Sequence, residues 1–172
     1  MCLLAIIDKP NSRACVIAGF EGFSIPAFHS VLLLTDGSVW TTGRNAFGQL
    51  GVGSTTTKTT FQRVIDSDAV SVGAGQFQTY VVMRDGSLLV AGKNSNGELG
   101  KDPKKANILT FEKTIASGVK EATGGDAHSL VLKQDGSVWG AGLNNQGQLG
   151  ADTEDLKGQF NLSMCYKNGI GT

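Results

Sequence analysis

The stretch KQDGSVWGAGLNNQGQLG at 133–150 restates LTDGSVWTTGRNAFGQLG at 34–51 and MRDGSLLVAGKNSNGELG at 83–100. Asp36, Asp85 and Asp135 lie 49 and then 50 residues apart (85 − 36 and 135 − 85). Residues 29–51 and 128–150 agree at 14 of 23 positions, more than a shared hydrophobic pattern would leave. A fixed period of about fifty residues is the mark of solenoids, propellers and arrays, in which each copy buries its apolar face only against a neighbouring copy. This constrains the fold more than any other feature of the chain.

Within each copy the pattern is that of short strands. Ser30 to Leu34, Thr79 to Met83 and Ser129 to Leu132 are apolar runs of strand length, each followed by Asp-Gly. Asp-Gly at 36–37, 85–86 and 135–136 predicts hairpins with type I′ turns. The chain returns through Val39-Trp40, Leu88-Leu89 or Val138-Trp139. It then passes Gly43, Gly92 or Gly142, then Asn45, Asn94 or Asn144, and closes on Leu50, Leu99 or Leu149, which are read as buried. A further short strand precedes the hairpin at 69–75 and 119–125, and another is expected around 61–65 and 109–115. No long 3.6-residue periodicity occurs. Each copy is therefore a small antiparallel sheet, a propeller blade rather than a helical solenoid turn. Trp40 and Trp139 share one repeat position with Leu89 and read as packing between blades.

Composition narrows the function. Fifteen Lys plus Arg balance fifteen Asp plus Glu, so no global field attracts nucleic acid. Cys2, Cys15 and Cys165 form no C-x-x-C pair, which argues against a disulfide framework or a zinc site. The opening MCLLAIIDKP has no basic region and too short an apolar run for a signal segment or membrane span. The expectation is a reduced chain of the cytoplasm or nucleus, with the N-L-S sequon at Asn161 accidental. The Gly-rich 48–54 lacks the Lys-Ser or Lys-Thr of a phosphate loop, and Lys101, Lys104 and Lys105 read as a solvated loop. No nucleophile–base–acid set, paired carboxylates or metal-ligand spacing recurs, so neither enzymatic catalysis nor a cofactor or metal is expected.

The order G-x-x-[HQ]-[ST], strand, D-G-S-[VL]-[WL], G-x-N-x-x-G-[QE]-L-G resembles the repeat of the regulator of chromosome condensation family, over residues 28 to about 160. The resemblance implies blades of a seven-bladed β-propeller. The founding member is a chromatin-bound nucleotide exchange factor for the small GTPase Ran, and many other members use the propeller as a protein-binding platform. Three copies are fewer than the roughly four to eight blades of closed propellers. The fold class expected is all-β, three blades of an incomplete ring, with repeats at about 28–68, 69–118 and 119–160 flanked by non-repeat segments at 1–27 and 161–172. The first copy carries Ile25 and Pro26 where the others have Ala74-Gly75 and Gly124-Gly125, which predicts a missing or altered first strand. Such a chain is a fragment, a truncated reading or an open array, and an unpaired blade edge invites self-association.

The loop before each inner strand carries Ala27-Phe28-His29, Gln76-Phe77-Gln78 and Asp126-Ala127-His128. The resemblance implies that acidic and imidazole groups of this loop approach the GTPase in exchange factors, and Asp126 with His128 fits that pattern best. His29, Gln76 and Gln78 stand at the corresponding places. The competing role is structural, since Asp and His beside a strand commonly satisfy backbone groups. The functional expectation is a non-enzymatic protein-interaction module. Its alternative is an exchange factor for a Ran-type GTPase with chromatin association.

Overall fold

A computed structural model describes residues 28–150, in which ten strands build three antiparallel sheets and no helix forms. No helix there is long and apolar enough to cross a membrane. The first sheet orders β1 (His29–Leu33), β2 (Val39–Gly43) and β3 (Lys58–Ile65). The second orders β4 (Ala69–Ala74), β5 (Gln78–Met83), β6 (Leu88–Lys93) and β7 (Asn107–Ile115). The third holds β8 (Val119–Gly124), β9 (His128–Lys133) and β10 (Val138–Gly142). These are the blades expected from the repeat, in an open arrangement. The segments around Pro26 and beyond Gly150 lie outside the described residues, as do the flanks.

The Asp-Gly hairpins form, but with a different turn. Gly37 N–H bonds Leu34 C=O, and Leu34 N–H bonds Ser38 C=O, both at 3.0 Å. Gly37 has φ 79° while Asp36 is not left-handed. This is a three-residue loop, a type I turn closed by a left-handed glycine bulge, rather than the two-residue type I′ turn expected from the dipeptide. The same pairs of bonds recur at Met83 and Lys133. The aspartate is needed for its carboxylate instead: Oδ1 of Asp36, Asp85 and Asp135 accepts the N–H of Ser38, Ser87 and Ser137 at 2.8–2.9 Å. The side chains of Ser38, Ser87 and Ser137, and after them these N–H groups, hold all three carboxyls below the usual range.

Two apolar clusters fill the spaces between sheets. Val31, Leu33 and Val39 of the first blade meet Ala69, Val72 and Val81 of the second. Tyr80, Val82, Leu88, Val90 and Leu99 of the second meet Val119, Ala122, Val131 and Ala141 of the third. Strand β5 serves both, its odd residue Val81 pointing one way and even Tyr80 and Val82 the other, as the two-residue period requires. Leu50, Leu99 and Leu149 are buried as expected. Trp40 and Trp139 are half-buried rather than enclosed. Trp139 packs against the second cluster with the Lys133 ammonium 5.0 Å above its ring, and Trp40 Nε1–H bonds Ser38 Oγ at 3.1 Å. A large ring with one polar atom settles readily at such a margin.

Hydroxyls fasten blade to blade. Thr79 Oγ1–H bonds Gln49 C=O at 2.7 Å, and Ser129 Oγ–H bonds Glu98 C=O. Each joins the [ST] of one copy to the [QE] of the copy before it.

Candidate protein-interaction face

The loops from β4 to β5 and from β8 to β9 open on the same side of the blades as the loops that follow β2, β6 and β10. Backbone bonds tie these two sets together: Arg44 N–H to Phe28 C=O at 2.7 Å, Lys93 N–H to Phe77 C=O at 3.0 Å, and Leu143 N–H to Ala127 C=O at 2.8 Å. The contact is close enough to demand glycine beneath it. A Cβ on Gly92, whose φ is 117°, would lie 2.2 Å from Phe77 O.

The five residues expected at the site divide between interior and surface. His29 and Gln78 are buried. Gln78 Nε2–H donates to Asp126 C=O at 2.8 Å while its Oε1 accepts Phe77 N–H at 3.2 Å, so this side chain locks the second loop to the third. His29 lies 3.0 Å from Thr79 Oγ1 through Nε2. The Thr79 proton is committed to Gln49 C=O, so His29 Nε2 carries the hydrogen and Nδ1 is bare. Burial lowers the His29 pKa to about 4, which keeps the ring neutral. Neither side chain is offered to solvent.

The remaining three lie at the surface. Asp126 is exposed, while Gln76 and His128 are half-buried. Gln76 N–H bonds Gly125 C=O at 3.0 Å, bringing the second and third loops side by side. Partial burial lowers the His128 pKa, and the charge of Asp126 opposes that shift. The side chains of Asp126 and His128 make no hydrogen bond to another described residue. Two surface groups of opposite character, acidic and imidazole, thus stand together without a described bonding task.

Sequence reasoning passed over a neighbouring group. Phe47 and Phe77 stack tilted with centroids 4.8 Å apart. The Arg44 guanidinium lies 4.9 Å from the Phe28 ring and 5.6 Å from Phe77, and the Lys93 ammonium lies 5.9 Å from Phe47 and 5.7 Å from Phe77. The available signal was variation at three positions of the repeat: Phe28, Phe77, Ala127; Arg44, Lys93, Leu143, which lie between an unvarying glycine and asparagine; and Phe47, Asn96, Gln146, which precede an unvarying glycine.

On the opposite side a shallow depression of about 570 Å³ lies on the second blade beside Asp68, and its charges pair with one another, Arg84 with Asp68 at 3.5 Å and Lys113 with Asp85 at 3.3 Å. Among the described residues no three His, Cys, Asp or Glu side chains could hold a metal.

Comparison with known proteins agrees with this architecture. The family model described as the Regulator of chromosome condensation (RCC1) repeat matches residues 27–49 and 119–148. Similar solved structures include yeast RCC1 (Prp20) bound to Kap60, at 22% identity and a TM-score of 0.67 over 77% of this chain and 34% of that one. Prp20p from Saccharomyces cerevisiae, in a structure reported with its binding to Gsp1p and histones, gives 20% identity and 0.67 over 76% and 35%. Human WBSCR16 gives 22% and 0.64 over 76% and 36%. The chain thus spans about a third of the length of each. No curated protein sequence matches it. The middle copy, which the family model leaves out, shares the motif and blade geometry of the two matched copies, so the chain folds as three consecutive β-propeller-type blades whose first and third copies match the regulator of chromosome condensation repeat.

Proposed function

We propose that this chain is a non-enzymatic protein-interaction module of the cytoplasm or nucleus, with residues 28–160 as the interacting unit and 1–27 and 161–172 as its flanks. One observation carries the reading. The asparagines that hold the loops, Asn45, Asn94 and Asn144, are repeated and buried, while the groups the loops expose change from copy to copy. A constant frame with variable presentation suits recognition, whereas bond-making would need a convergent set of reactive groups. Asp126, His128 and Gln76 are the surface groups assigned to the partner.

A second reading is favoured by the acidic–imidazole pair on this face and by the likeness to Prp20p, whose structure concerns its binding to Gsp1p and histones. In that reading the chain engages a Ran-type GTPase in a chromatin setting. Exchange works by binding the nucleotide-free GTPase more tightly than the loaded one, which calls for a wide face; three blades offer little of it.

One variant tests both. Asp126→Ala/His128→Ala removes no hydrogen bond to a described residue, so its unfolding free energy is expected to stay within about 0.5 kcal/mol of the parent. Its capture of protein partners from a cell extract is expected to fall. A loss of about 1–3 kcal/mol per group with capture unchanged would assign the pair to structure. Release of labelled GDP from a Ran-type GTPase is expected to be unaccelerated by the parent chain, and acceleration would establish the second reading.

A further inference from the structure

We infer that the aromatic–cation cluster of the first two blades is a docking site for an acidic peptide segment. This rests on the reading of the loop face as a partner surface and adds the chemistry of the partner.

Arg44 and Lys93 form no ion pair with any described carboxylate. On the opposite side Arg84 and Lys113 are paired. The partners of Arg44 and Lys93 are instead the faces of Phe28, Phe47 and Phe77. A ring quadrupole fixes a cation in place without cancelling its charge. The outcome is two positive charges held a ring apart, on an apolar floor, in a chain whose net charge is zero. Pre-placed charges of this kind lower the ordering cost of binding and match carboxylates in geometry and sign.

A peptide suits the cluster better than a nucleic acid. Single strands bind by stacking bases on open aromatic faces. Here Phe77 already lies under both cations and against Phe47. The third blade limits the site to the first two, because Ala127, Leu143 and Gln146 occupy the same three positions and exposed Asp126 would repel an acidic segment.

The third blade also supplies the control. Arg44→Leu/Lys93→Leu/Phe47→Gln installs residues that the same loop already carries there. The probe is a fluorescein-labelled peptide of eight Asp and Glu residues around a central Phe, read by anisotropy on the full chain, beside a peptide with Lys in place of the acids and a twelve-nucleotide single-stranded DNA of mixed sequence. The acidic peptide is expected to bind, to weaken as salt rises, and to lose about tenfold in affinity with the triple variant. Lys93→Arg, which keeps the charge, is expected to bind within about twofold of the parent. Asp126→Ala/His128→Ala is expected to bind the acidic peptide at least as well as the parent, so loss of natural partners by that variant with peptide binding intact separates the two surfaces. The inference is overturned if the triple variant, shown folded by circular dichroism and its melting midpoint, binds equally well, if the DNA or basic peptide binds more tightly, if none binds, or if anisotropy tracks only self-association of the chain.

Discussion

His29 shows how one buried side chain converts the fold into a pH response. Its Nε2–H donates to the Thr79 hydroxyl, which donates to the Gln49 carbonyl, a chain of hydrogen bonds that runs from the first blade to the second and back. Protonating Nδ1 would place a charge in a dry interface, and the His29 pKa is accordingly lowered from 6.5 to about 4. In the unfolded chain the ring gains its proton near pH 6.5, but in the folded chain only near 4. The unfolded state therefore binds more protons between these values, and stability falls as the pH drops through that window. The contribution is complete above about pH 6.5 and fully lost by about pH 4, with an upper bound of about 3 kcal/mol for a shift of this size. Asp36, Asp85 and Asp135 act below this window, because their pKa values are lowered from 3.8 and their stabilisation is lost only in stronger acid. His29→Gln, the residue of the second copy, is expected to flatten most of the slope of unfolding free energy between pH 6.5 and 4 and to leave the steeper acid transition in place. Denaturant titrations at pH 7, 5.5 and 4.5 check it, and an unchanged slope would show that His29 does not govern the window.

At the scale of the element, much of each blade was legible because local chemistry determined it. The strands around Val31, Val81 and Val131 announce themselves by apolar runs, and the leucines before the last glycine by their place in the repeat. The outer strands were seen only in part: Lys58–Ile65 and Asn107–Ile115 extend beyond the apolar cores that suggested them, because an outer strand buries little and need not alternate cleanly. The turn type was misread because Asp-Gly satisfies two hairpin geometries, and the choice depends on the serine that follows. The repeated asparagine was given a place in the repeat but no role, yet it organises the blade. Asn94 is buried, its Oδ1 accepts Leu99 N–H at 3.0 Å, and its Nδ2 donates to the carbonyls of Lys101, Asp102 and Lys105 at 3.0–3.3 Å. Those partners sit on a loop of variable length and composition, so nothing in the sequence pairs them with the asparagine. Asn94→Ala is expected to destabilise by about 2–4 kcal/mol, since it strands several buried groups at once. Asn94→Asp, although of the same shape, is expected to be no better at neutral pH, because a carboxylate would face three carbonyl oxygens. Unfolding curves of the two variants decide the point: a cost below about 1 kcal/mol for Asn94→Ala, or rescue by Asp, would remove the asparagine from this role.

Across the whole molecule the architecture is linear rather than centred on one core. The principal contacts between blades run from β1 to β4, and from β4 and β5 to β8. The second blade therefore lies between two separate apolar clusters, with Val39 in one and Val90 in the other, both fully buried. A globular core would couple distant truncations through one shared cavity, whereas a linear array sums its interfaces. Val39→Ala and Val90→Ala are each expected to cost about 2 kcal/mol, from two buried methyls and the small cavity left behind. Because the two sites share no cluster, their double variant is expected to be additive within about 0.5 kcal/mol. Val82→Ala with Val90→Ala makes the contrast: both open the same cluster, so their coupling is expected to exceed that margin. The measurement is a pair of double-mutant cycles by chemical denaturation, with the slope against denaturant checked in each variant for loss of a single transition. Strong coupling between Val39 and Val90 would mean that the middle blade transmits strain from one cluster to the other as one rigid plate. Additivity would mean that each face of the plate answers to its own neighbour, which is what the alternation of Val81 against Tyr80 and Val82 along β5 requires.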